Sequence, residues 1–191
     1  MKTDILIVGV GGQGTLLASV LLGNIALKEN LHVKLSEVHG MAQRGGSVVT
    51  HVRISDEEIA SPVLDRGCAD IILSFEMLEA VRALPYLKKG GKIYVNTQKI
   101  MPMPVITGAA SYPEDIEETL AASGAEVHYV QADALAEEAG NMKTVNTVML
   151  GALSSAMDLD ASLWEKAIEE CVRPQFIEVN KKALALGRQN G

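Results

Sequence analysis

Cysteine is scarce in this chain. Cys68 and Cys171 stand alone and far apart, with no Cys-x-x-Cys pairing, so neither a disulfide framework nor a zinc or iron–sulfur ligand set is encoded, and both are expected to be ordinary thiols. Aromatic residues make up only 4% of the chain, so the core must be built from aliphatic side chains and alanine. Basic residues are outnumbered, 17 Lys and Arg against 24 Asp and Glu, for a net charge of −7. With no basic stripe, a nucleic-acid partner is excluded. No apolar run approaches the roughly 18 to 20 residues that span a bilayer, and Met1-Lys2-Thr3-Asp4 leads into a stretch too short for a signal peptide, so a cytoplasmic location without membrane attachment is expected. Internal repeats and low-complexity segments are also missing.

What is there reads as one domain over residues 1–191. Ile5-Leu6-Ile7-Val8 forms a buried strand that runs into Gly9-Val10-Gly11-Gly12-Gln13-Gly14, a glycine turn opening a helix. Leu16, Leu17, Val20, Leu21, Ile25 and Leu27 recur near helical spacing to about Asn30, and His32–Leu35 is a second strand. Together these make a βαβ unit with an expected right-handed crossover. Residues 38–46 read as a loop. Ser47–Ile54 reads as an antiparallel strand of a hairpin or sheet edge.

Further strands are expected at Ala69–Ser74, Lys92–Asn96 and Ala125–Val130, and helices at Glu76–Leu87, Glu114–Ser123, Asp133–Glu138, Lys143–Met157, Ala161–Cys171 and Pro174–Leu186. Lys88-Lys89-Gly90-Gly91 reads as a glycine stop. Three prolines between Met101 and Pro113 mark an irregular or mobile connection, with Val105-Ile106 as a short strand. The pattern predicts a three-layer α/β/α fold, Rossmann-like, with a mostly parallel sheet, one antiparallel element and a helical C-terminus.

Two stretches carry chemistry. Gly9, Gly11, Gly12 and Gly14 suit close approach of backbone to a phosphate, and Gln13 adds hydrogen-bonding capacity. Glu37 falls where a Rossmann fold places a ribose-binding carboxylate, so dinucleotide binding is one reading; close helix-on-sheet packing is the other. The second stretch, Glu37 to Ser47, gathers Glu37, His39, Gly40, Met41, Gln43, Arg44, Gly45, Gly46 and Ser47 beyond the carboxyl end of a strand. Arg44 suits a phosphate or carboxylate, and the loop reads equally as a ligand site or a subunit interface. No catalytic set is evident: His39, His51 and His128 lack ligand spacing, and no nucleophile elbow is present. Asn146 and Thr147, polar on an apolar helix, are read as solvent-facing, with a hydrogen bond to the facing loop as the alternative.

Taken together, the glycine turn and the run Ser36-Glu37-Val38-His39-Gly40-Met41-Ala42-Gln43-Arg44-Gly45-Gly46-Ser47 resemble the gamma-type domain of 2-oxoacid:ferredoxin oxidoreductases. The form of the second loop is most similar to the indolepyruvate-acting type. The likeness continues through Ala69-Asp70, Leu87–Gly91 and Asn146–Ala152, most of the chain.

The resemblance implies a non-catalytic subunit that binds no cofactor alone. A larger alpha subunit would carry thiamine diphosphate and iron–sulfur clusters, coenzyme A would enter as co-substrate, and ferredoxin would accept electrons. It also implies that Gly9, Gly11 to Gly14 and Arg44 face coenzyme A phosphates or the partner chain, and it speaks against nicotinamide. The alternatives are a gamma subunit acting on pyruvate, 2-oxoisovalerate or 2-oxoglutarate, and a free-standing dinucleotide-binding protein.

Overall fold

The structure, a computed structural model, describes residues 2–40 and 45–191. The apolar run at the start becomes the middle of β1 (Lys2–Val10), where Ile5, Leu6 and Ile7 have no exposed surface. In chain order there follow α1 (Thr15–Lys28), β2 (His32–His39), β3 (Ser47–Ser55), β4 (Ala69–Ser74), α2 (Met77–Ala83) and β5 (Leu87–Asn96). Next come α3 (Met103–Ile106), α4 (Ile116–Ala122), β6 (Glu126–Val130), α5 (Ala132–Ala139), α6 (Val145–Ser154), α7 (Ala161–Cys171) and α8 (Ile177–Gln189).

Among the described residues six strands form one sheet in the order β2-β3-β1-β4-β5-β6. β1, β4, β5 and β6 are mutually parallel, and β3 runs antiparallel to both its neighbours, with Ile5 opposite Val52 on one side and Ile71 on the other. Alternation of side chains along β1 feeds two cores. Ile5 and Ile7 pack under α1, α5, α6, α7 and α8; Leu6 and Val8 pack under α2 and α4. Helices therefore cover both faces, the expected three-layer arrangement. No helix among the described residues is long and apolar enough to cross a membrane.

Four details correct the sequence reading. β3 is not an edge: it lies between β1 and β2, so the βαβ unit spans an occupied slot. Burial on both of its faces, through Val48, Thr50, Val52 and Ile54 on one and His51 and Ser55 on the other, accounts for this. Val105-Ile106 belongs to the helical turn α3 rather than a strand, because Pro104 in its first turn fixes a helix-compatible φ. Gly90-Gly91 does not stop a helix. α2 ends at Ala83, a 3-10 turn with Pro85 follows, and the glycines lie inside β5 at a register shift, where a Cβ on Gly91 would stand 2.7 Å from Leu87 Cδ1. On α1, Leu16, Val20 and Leu27 are exposed, and the buried stripe is Ala18, Leu21, Leu22, Ile25 and Ala26.

Candidate ligand site at the glycine turn

α1 lies on one face of the sheet and α2 on the other, so the carboxyl ends of β1 and β4 diverge at a topological switch point, the place where open α/β sheets take ligands. The glycine turn stands at that point. Gly12 and Gly14 have φ of 102° and 83°, a left-handed backbone that glycine adopts freely. No side chain caps α1, and the N–H groups of Gly14, Thr15, Leu16 and Leu17 find no acceptor among the described residues. Such a helix start is an anion site in form.

Beside it is a cavity of about 400 Å3 lined by Gly11, Gly12, Gly14, Thr15, Leu16, Glu37, His39 and Val48. β2 supplies Glu37, whose carboxylate accepts the Thr50 hydroxyl of β3 at 3.2 Å. Glu37 and the open helix start therefore line the same cavity. His39 is exposed, its Nδ1 3.1 Å from the Gly40 carbonyl. The structure thus gathers the glycine turn, Glu37 and His39 at one place.

Two expected members lie elsewhere. The Gln13 side chain fills the crevice between β1 and β4: Oε1 accepts Val10 N–H at 2.7 Å, and Nε2 donates to Phe75 O at 3.0 Å and to Gln98 Oε1 at 2.9 Å. Gly9 makes room for it, since a Cβ there would stand 2.8 Å from that Oε1 and 3.1 Å from Phe75 Cβ. Beyond Gln98 the chain of contacts reaches Asp133 at the start of α5 and, through it, Asn96 at the end of β5.

The second loop is held at its C-terminal stem. Gly11 N–H donates to Gly46 O at 2.9 Å, and the Ser47 hydroxyl donates to Glu79 Oε2 at 2.5 Å. Glu79 is buried in α2 and also takes Arg82 Nη1 at 2.5 Å. Burial pushes the carboxyl of Glu76, which caps α2, above its ordinary range. Gly40 and Gly45 are exposed and do not line the cavity. Met41, Gln43 and Arg44 lie outside the described residues.

Asn146 and Thr147 are buried rather than solvent-facing. Asn146 Nδ2 lies 3.4 Å from the Gly14 carbonyl, and the Thr147 hydroxyl donates to Asn180 Oδ1 at 2.6 Å. Helix α6 is apolar on every side because it is buried, and its polar pair marks where it meets the turn. Glu79, Gln98 and Asp133 carried no comparable sequence signal. Among the described residues no group of His, Cys, Asp or Glu could hold a metal ion.

The chain is 43% identical to the indolepyruvate oxidoreductase subunit IorB of Thermococcus kodakarensis, with 96% of this chain and 93% of that protein covered. It is 30% identical to the 2-oxoglutarate synthase subunit KorC of Methanothermobacter thermautotrophicus, with 99% and 95% covered. The crystal structure of pyruvate oxidoreductase subunit PORC from Thermotoga maritima superposes with a TM-score of 0.75 at 24% identity, covering 99% of this chain and 96% of that one. The model of the pyruvate ferredoxin/flavodoxin oxidoreductase family matches residues 4–190, and the chain belongs to that family.

Proposed function

We propose that this chain is the smaller, non-catalytic subunit of an indolepyruvate:ferredoxin oxidoreductase. The observation that carries this reading is the identity of 43% to IorB against 30% to KorC, each over nearly the whole chain. On this reading a larger alpha subunit holds thiamine diphosphate and the iron–sulfur clusters. The assembly oxidatively decarboxylates an aryl pyruvate with coenzyme A, giving the aryl-acetyl-CoA and carbon dioxide and passing two electrons to ferredoxin.

The glycine-turn cavity fits a phosphate group, because the uncapped start of α1 offers convergent N–H donors beside about 400 Å3 of space. We assign Gly11, Gly12 and Gly14 to the coenzyme A phosphates. Gly9 and Gln13 act behind them as the support that fixes the turn. The loop from Glu37 to Ser47, including Arg44, closes the cavity or meets the larger chain.

Co-expression with the larger chain, purification without oxygen and assay of ferredoxin reduction test the proposal. Turnover is expected only with both chains and coenzyme A, with indolepyruvate preferred over pyruvate and 2-oxoglutarate. A preference for 2-oxoglutarate or pyruvate would move the chain to a gamma subunit of that enzyme. A chain that never assembles with a cluster-bearing partner, and binds nicotinamide cofactors in a Glu37-dependent way, would overturn the assignment.

A further inference from the structure

A second hollow, of about 290 Å3, lies on the α1 side of the sheet, with its own lining distinct from that of the first cavity. It opens where three pieces of chain meet: Leu17 in the first turn of α1, residues 141–144 leading into α6, and residues 171–176 between α7 and α8. Its surface is mostly apolar, with Leu17, Val172 and the Phe176 ring among its walls. Lys143 and Arg173 stand beside it, and neither side chain makes an ion pair or hydrogen bond among the described residues. In a chain of net charge −7, two uncommitted cations beside one apolar hollow form a local positive site.

The walls are fixed. Asn180, 6% exposed, accepts the Thr147 hydroxyl through Oδ1 and donates through Nδ2 to the Phe176 carbonyl at 2.8 Å. Asn141 Oδ1 accepts Lys143 N–H at 3.0 Å, and the Thr144 hydroxyl donates to Asn141 O at 2.7 Å. The backbone carrying Lys143 and Phe176 is therefore held in place before anything binds. Because these internal bonds engage the Asn180 carboxamide and the Asn141 oxygens, charge attraction and apolar contact do most to select a ligand. Phe176 is 37% exposed, a ring offered to solvent beside Arg173. A hydrated inorganic ion gains nothing from the apolar wall, and a neutral aromatic gains nothing from the cations.

We propose that this hollow binds a flat aromatic molecule carrying a carboxylate or phosphate, with the ring against Phe176 and Leu17 and the negative group between Lys143 and Arg173. Two sources share that chemistry, an aryl carboxylate and a nucleotide. The proposal does not rest on what the glycine turn binds.

Calorimetric titration of the full chain, repeated on the complex with its larger partner, tests it with four probes: indole-3-acetate, adenosine diphosphate, neutral indole and inorganic phosphate. One aromatic anion is expected to bind at least tenfold more tightly than indole and phosphate, and which one it is identifies the source. Lys143→Gln with Arg173→Gln should weaken that binding about tenfold, and Phe176→Leu should weaken it comparably, with thermal unfolding unchanged. Indole binding as tightly as the anions would overturn the proposal. So would binding indifferent to these substitutions, which would place the probe at the glycine turn, or binding absent in the complex, which would show that the partner chain fills the hollow.

Discussion

At the scale of single residues, Gln13 decides more than its neighbours. Its three hydrogen bonds join the ends of β1, β4 and β5, so Gln13→Ala should lower stability by about 1–3 kcal/mol in urea unfolding. Gln13→Glu should be worse, since it places a carboxylate oxygen against the Phe75 and Gln98 oxygens. Glu37 tests the cavity itself. If a coenzyme A phosphate sits at the start of α1, Glu37→Gln removes a like charge from the same cavity and should lower the KM for coenzyme A about two- to fivefold, more at low salt. An unchanged KM would remove the phosphate from this cavity.

His51 gives the chain a pH dependence. It is buried, its Nδ1 accepts Leu64 N–H at 3.2 Å, and burial, then the Arg53 charge, lowers its pKa. The unfolded chain therefore takes up this proton first as the pH falls below about 6.5, so stability is full above that value and declines below it. His51→Gln should flatten that part of the stability profile between pH 5 and 8. Tyr112 points the other way. Its hydroxyl is buried beside the Glu76 carboxylate without well-formed hydrogen-bond geometry, and burial, then the Glu76 charge, pushes the phenol up to about 12. Tyr112→Phe should be neutral or stabilising by up to about 1 kcal/mol. The turn glycines and Glu37 stood out in the sequence because their types and spacing are restrictive, and they line one cavity. Glu79 and Asp133 were not, because a lone carboxylate on a helix looks the same buried or solvated until its partners are known.

At the scale of elements, α6 and α8 cross on glycine. A Cβ on Gly187 would stand 1.9 Å from Val148 O, and one on Gly151 would stand 2.2 Å from Leu184 O. Both clashes are with backbone, so Gly187→Ala or Gly151→Ala must push the helices apart and should cost about 3 kcal/mol or more in chemical unfolding. Helix α7 was legible to its end residues, Ala161 and Cys171, because Asp160 caps it, accepting Ser162 N–H at 2.7 Å. The glycines of α6 and α8 passed unremarked, since close helix approach is a property of a pair and neither helix announces its partner. β3 shows the same limit. Its residues declared a strand, but whether a strand is an edge or an insert depends on which strands flank it.

At the scale of the whole molecule, the two faces of the sheet are covered by different parts of the chain. The α2 and α4 side is complete by Val127, whereas the α1 side needs Trp164, Ala167, Ile168, Ala183 and Leu184. A chain cut after Asp158 should keep its strands but lose cooperative unfolding and bind a hydrophobic dye. That division has a meaning for synthesis. As the chain leaves the ribosome, one side of the sheet can close while Ile5, Leu21 and Ile25 still wait for helices about 140 residues downstream. A half-made chain is therefore one that holding chaperones would recognise, and the newborn subunit is exposed on the side that later carries the second hollow.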